Sequence, residues 1–126
     1  METTIKLSEL ININQTLKYI IESTDIKIDS LLKFKLLGIM KSIEPMINNF
    51  EIIRNEKIRE FGTEMDDGSI QIVKDDMVAI QKFSESLEDV INSEVKVNIE
   101  KIKASDIFNK GIKAEYLAQL FSIIKE

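Results

Sequence analysis

Apolar residues recur along most of this chain at intervals of three and four. Leu10, Ile13, Leu17, Ile20 and Ile21 mark a first helix that the spacing ends near Thr24-Asp25. Ser8 is placed to cap it, after a short strand over Thr3 to Leu7. A longer stripe follows: Leu32, Leu36, Ile39, Met40, Ile43, Met46, Ile47, Phe50, Ile53, Ile58 and Phe61. Asp29 is its natural N-cap and Gly62 its stop. A third stripe, capped by Asp75 or Asp76, carries Met77, Ile80, Phe83, Leu87, Val90 and Ile91.

Between the second and third stripes the pattern changes period. Thr63 to Ile72 contains Asp67-Gly68, a type I′ turn signal, and Ile70 and Ile72 alternate with polar residues. This predicts a small, exposed β-hairpin. Val95, Val97 and Ile99 alternate in the same way and predict a half-buried strand. Ile5-Lys6-Leu7-Ser8-Glu9-Leu10 is echoed by Ile102-Lys103-Ala104-Ser105-Asp106-Ile107, so both segments should leave a strand into a helix alike. Gly111 interrupts the chain, and a last helix is predicted over Ala114 to Ile124, with Leu117, Leu120, Phe121 and Ile124 inward.

Length then constrains the second stripe. Unbroken from Ser30 to Phe61, it would form a helix ~48 Å long. A compact chain of 126 residues has a radius of gyration of ~14 Å and a diameter near ~36 Å. The helix must therefore bend, protrude or be shared. Pro45 is the only proline and predicts a kink or break near Ile43-Glu44. The seventeen residues from Pro45 to Phe61 match the seventeen from Asp76 to Asn92, which suits an antiparallel α-hairpin. The resulting expectation is an α+β fold, mostly α, in one domain over 1–126. It has four to five helices, a Pro-kinked α-hairpin arm at about 45–93 with a β-hairpin at its tip, and a short sheet pairing strand 3–7 with strand 95–102.

Composition narrows the chemistry. The chain has no cysteine, histidine or tryptophan, so zinc sites and thiol or Ser-His-Asp nucleophiles are excluded. No apolar run approaches the ~20 residues of a membrane span. The first residues lack the basic-then-apolar order of a secretory signal, which predicts a cytoplasmic protein. The net charge of −5 is local: residues 1–63 hold nine basic and nine acidic side chains, 64–94 two and nine, and 95–126 six and four. With no basic stripe, nucleic acid is not an expected partner. Fifteen lysines against two arginines, with twenty-three isoleucines, read as the codon bias of an AT-rich genome.

Four features bear on function. Glu64, Asp66, Asp67, Asp75 and Asp76 cluster around Gly68. With Gly68 at the sixth position of a calcium loop, however, Thr63 and Met65 fall on ligand positions and Lys74 on that of the bidentate Glu. A solvated turn with a helix cap is the simpler reading, and an acidic mimic of DNA a further one. Glu51, Arg54, Glu56 and Glu60 lie on or near one helix face, where Glu51 and Arg54 suit a local ion pair better than acid–base work. The glycines are isolated, so no phosphate-binding loop is written in the chain, and Tyr19 and Tyr116 read as packing residues. The apolar seam is the fourth feature. An arm of ~26 Å built on two helices cannot bury all of its own seam. The expected interaction surface is therefore Phe50, Arg54, Ile58, Phe61, Asp66, Asp67, Asp75, Asp76, Ile80, Phe83 and Leu87.

A series of pieces runs through the chain in order: Ile5-Lys6-Leu7-Ser8-Glu9-Leu10, Ile43-Glu44-Pro45, Phe50-Glu51 and Arg54-Asn55-Glu56, then Phe61-Gly62, Asp66-Asp67-Gly68, Phe83, Leu87, Glu94-Val95, Ile102, Leu117 and Leu120. In the order and spacing of these pieces the chain resembles a widespread group of small proteins encoded by tailed phages and prophages of Gram-positive bacteria. Phe61 stands where the group commonly has Tyr. The resemblance brings no activity and no catalytic residue with it. It implies a protein at work in an infected or lysogenic cell, and it makes Pro45 a planned kink.

The sequence thus predicts a non-enzymatic protein that binds another protein or itself, as a virion-associated or assembly factor, with no cofactor or metal. The alternative is an anti-defence protein that inhibits a host immune effector or sequesters its nucleotide signal. A nucleotide would need Lys96, Lys101, Lys103, Lys110 or Lys113.

Overall fold

A computed structural model describes residues 2–126. The chain is α+β and mostly helical. In order it forms β1 (Glu2–Lys6), α1 (Leu7–Glu22), α2 (Ser30–Phe61), β2 (Thr63–Glu64), β3 (Ile70–Gln71), α3 (Met77–Ile91), β4 (Glu94–Asn98), β5 (Ile102–Lys103), α4 (Ala104–Ile107) and α5 (Ala114–Gln119). A 3₁₀ turn (Phe121–Ile123) and β6 (Ile124–Lys125) complete it. The strands form three two-stranded ladders: β1 with β4 antiparallel, β2 with β3 antiparallel, and β5 with β6 parallel.

The β1–β4 pair is the one the alternation predicts. Thr3 lies opposite Val97 and Ile5 opposite Val95, and Ile5 and Val97 are buried on the inner face. The echo also holds, but the capping residue differs. Lys6 and Lys103, not Ser8 and Ser105, sit at the N-caps, with φ −65°, ψ 143° and φ −66°, ψ 137° and no side-chain cap. Lys113 repeats the geometry before α5 (φ −62°, ψ 145°). A buried isoleucine precedes each lysine, so an anchored extended segment turns directly into a helix. At α1 the orphan N–H of Leu7 donates to the Ser93 carbonyl at 2.9 Å, a role a serine cap would otherwise share.

The core gathers at one end. Leu10, Ile13, Leu17 and Ile20 of α1 meet Leu32, Leu36, Ile39 and Ile43 of α2, closed by Val97, Ile99, Ile102, Ile107, Leu120 and Ile123. Asp29 caps α2 as expected: its Oδ1 accepts from Leu32 N at 2.7 Å, which with the nearby Lys110 holds its carboxyl below the usual range. Asp76 caps α3 in the same way, accepting from Ala79 N at 3.0 Å.

α2 does not break at Pro45. It is helical throughout its 32 residues. The reason is placement: Pro45 and Lys41 are both exposed, so the carbonyl that loses its donor faces solvent. Ile43 and Phe50 on either side stay buried in the stripe and hold the helix together. Pro45→Ala should therefore raise stability, by about 1–2 kcal/mol after the lost unfolded-state restriction is counted. Thermal denaturation reads this directly. A lower melting temperature would mean that the proline sets a bend the packing needs.

The C-terminal reading is corrected. The helix expected to Ile124 ends at Gln119, and the chain continues as the 3₁₀ turn and β6. Residues three apart eclipse in a 3₁₀ turn, so Leu120 and Ile123 both reach the core at 0 % exposure. Phe121, expected inward, is 64 % exposed. Strand pairing of Ile124 with Ile102, and a hydrogen bond from Ser122 Oγ to Glu9 Oε1, fix this arrangement.

Candidate functional site

The arm is the last third of α2, beyond Phe50, with the β2–β3 hairpin and most of α3. Its most telling property is burial. No residue from Glu51 to Ser86 is buried. Ile53, Ile58, Phe61, Ile80 and Phe83 pack only to intermediate depth. Phe50 and Leu87, expected on the interaction surface, instead close the base of the arm as core residues, at 9 % and 6 % exposure. Five apolar side chains that the helical stripes did not single out as a free face stand exposed: Ile52, Met65, Ile70, Met77 and Val78. Off-stripe position was the available signal for Ile52 and Val78. A shallow groove lined by Asn55, Ile58, Arg59, Gly68 and Ile70 runs where the last turns of α2 meet the hairpin.

The hairpin is real but its turn is of another type. Met65 N donates to Ser69 O at 2.7 Å and Gly68 N to Met65 O at 2.9 Å. Within this turn Gly68 alone has positive φ (87°), whereas a type I′ turn also needs it at Asp67. The loop is thus the three-residue form, Asp66-Asp67-Gly68, with glycine in the left-handed position. Asp67 Oδ1 accepts from Ser69 N at 3.0 Å and from Ser69 Oγ at 2.7 Å, which lowers its pKa. Among the described residues no group of three or more acidic side chains could hold a metal ion. Asp66, Asp67, Asp75 and Asp76 are exposed, and Asp67 and Asp76 already serve the turn and the cap.

Gly62 ends α2 for a reason other than left-handed conformation. Its backbone is extended (φ −85°, ψ 171°). A Cβ there would stand 2.4 Å from Ile58 O, 2.8 Å from Ile70 Cγ2 and 3.0 Å from Gln71 O. The hairpin lies directly on the helix end, and only glycine allows it. Gly62→Ala should cost about 1–3 kcal/mol and speed amide exchange at Thr63 and Gln71 before it affects the core.

The helix-face carboxylates form no constellation. Glu51, Arg54, Glu56 and Glu60 are exposed, and no Glu51–Arg54 ion pair forms among the described residues; Lys57 pairs Glu60 at 3.0 Å instead. An exposed pair of this kind gains little from its own geometry. Tyr19 and Tyr116 pack ring to ring at 4.8 Å, and the Tyr116 hydroxyl's hydrogen bond to Tyr19 is the first cause of a raised Tyr116 pKa.

A second concave feature lies at the opposite end. A cleft of about 340 Å³ separates the first half of α2 from the 100–103 segment and β6. Lys35, Lys101, Lys103 and Lys125 line it, with Glu100 and Asp106 as its acidic members. Of the lysines considered from sequence, only Lys101 and Lys103 reach it. Lys96 is in β4 opposite Thr4, and Lys110 pairs with Asp29 at 3.5 Å.

No helix among the described residues is long and apolar enough to cross a membrane. No family model matches the chain, and neither a curated protein nor a solved structure does.

Proposed function

We propose that this is a non-enzymatic protein that works through protein–protein association of its arm, with a second copy of the chain as first partner. The carrying observation is surface area. A compact monomer of 14.5 kDa should expose ~6,900 Å². This chain exposes 8574 Å². The excess of ~1,700 Å² exceeds the ~800 Å² that one partner contributes to a standard interface. Part of it belongs to the arm, where no residue from Glu51 to Ser86 is fully buried.

Charge selects the arrangement. Two arms side by side and parallel would bring two net −7 segments together. An antiparallel, two-fold pairing sets each acidic tip beside the other copy's 95–126 region, which carries six basic and four acidic residues. In the phage setting that the resemblance implies, such a protein would be a virion-associated or assembly factor. Light scattering on the purified chain tests the reading. A mass that rises with concentration supports it; a strict monomer at the highest attainable concentration counts against it.

A further inference from the structure

The cleft at the base of α2 has a property the arm reading does not use. In the parallel β5–β6 ladder Lys103 is the register partner of Lys125. Register partners on neighbouring strands stand about 5 Å apart, and like charges so placed repel. Both lysines line the cleft, and Lys101 joins them. Among the described residues none of the three has a carboxylate partner, whereas Lys35 is held by Asp106 at 3.4 Å. Three lysines without a carboxylate partner are thus gathered at one cleft, open to an anion.

The opposite wall is of different chemistry. Phe34 stands at the cleft with 74 % of its surface exposed, an aromatic face with nothing packed on it. One turn along, Gly38 leaves open space: a Cβ there would meet no atom within 4 Å. A glycine inside a helix is unfavourable relative to alanine, and here sterics do not require it. It keeps a flat backbone floor beside the ring. From Phe34 to Ser42 this wall is ~12 Å long.

We infer that the cleft binds a small organic phosphate carrying a planar ring, a nucleoside monophosphate by size, with the phosphate at Lys101, Lys103 and Lys125 and the ring against Phe34 and Gly38. A volume of about 340 Å³ lies at the small end of ligand pockets and suits one such molecule. A nucleic-acid strand is disfavoured, because Glu100 and Asp106 stand in the same lining as the lysines. Glu100, also in the lining, supplies an acceptor that a ligand hydroxyl or amine would use and inorganic phosphate would not.

Calorimetry of the full chain with AMP, adenosine and inorganic phosphate tests this. AMP should bind one to one, more weakly as salt rises, with adenosine and inorganic phosphate each at least about tenfold weaker. Lys103→Gln with Lys125→Gln should weaken AMP by about a hundredfold, since each removes a charge-assisted contact. The same variant should melt no lower than the parent, because it also removes a repulsion. Gly38→Leu, at an exposed position where an added Cβ meets no atom within 4 Å, should block AMP with the fold intact. Absence of AMP binding by the parent would overturn the inference. So would AMP binding that these variants leave within about twofold, or variants that lower self-association and leave nucleotide affinity alone, since the cleft would then be a protein dock. Substitutions at Ile52, Met77 and Val78 should leave AMP affinity unchanged, so the cleft and the arm can fail separately.

Discussion

Leu17→Ala should remove about 2–5 kcal/mol of stability, while Ile58→Ala should remove less than about 1.5 kcal/mol. Both substitutions delete a branched side chain from a helical stripe, but their surroundings differ. Leu17 is at 0 % exposure between α1 and the elements closing on it, so its loss leaves a cavity the packed core cannot collapse into. Ile58 is on the arm, at intermediate depth with solvent on one side, so part of its surface was never removed from water. A domain of this size has about 5–15 kcal/mol in total, so the first change should be visible as a large loss and the second as a small one. Urea denaturation of the two variants measures the difference. Equal losses would mean that the arm is held as firmly as the core, and the surface argument would fail.

The sequence made the elements legible wherever one local cause determined them. Asp29 and Asp76 cap helices because a short carboxylate meets the orphan amides three residues on. Thr3-Ile5 and Val95-Val97 alternate with polar residues, and they pair face to face as alternation requires. Legibility failed where tertiary contacts overrode a local rule. Pro45 forecasts a kink or break, and of the two a break does not occur, because its exposed side lets the helix pass. The 114–124 segment has a helical stripe, yet burying Leu120 and Ile123 together while pairing Ile124 with Ile102 is worth more than another helical turn. Gly62 read as a conformational stop, and its true constraint is the hairpin laid against it.

The same distinction separates the two candidate sites. The arm was readable because it is continuous in sequence, and a seam too long for two helices shows itself as surplus apolar positions. Its exact free face was not. Phe50 and Leu87 turned inward, and Ile52, Met77 and Val78 turned out. The cleft was not readable as a unit, although Lys101 and Lys103 were noted singly. Lys35 and Lys125 are ninety residues apart, and strands of two residues leave no periodic trace to announce the parallel pairing that joins Lys103 to Lys125.

The second large effect concerns association. Ile52→Glu, Met77→Glu and Val78→Glu together should abolish it without harm to the fold. All three positions are 58–70 % exposed, so no core contact is lost. Met77 and Val78 begin α3, where acidic residues suit the helix dipole, and glutamate is a good helix former at Ile52. In an associated state the same side chains would be desolvated carboxylates set against an apolar surface of the other copy. The most direct measurement is sedimentation velocity of the parent and this triple variant from micromolar to millimolar concentration. The parent mass should rise from 14.5 kDa toward twice that value while the variant stays at 14.5 kDa throughout. A parent that remains at 14.5 kDa across the range, or a variant that associates as the parent does, would contradict the arm as the surface of assembly.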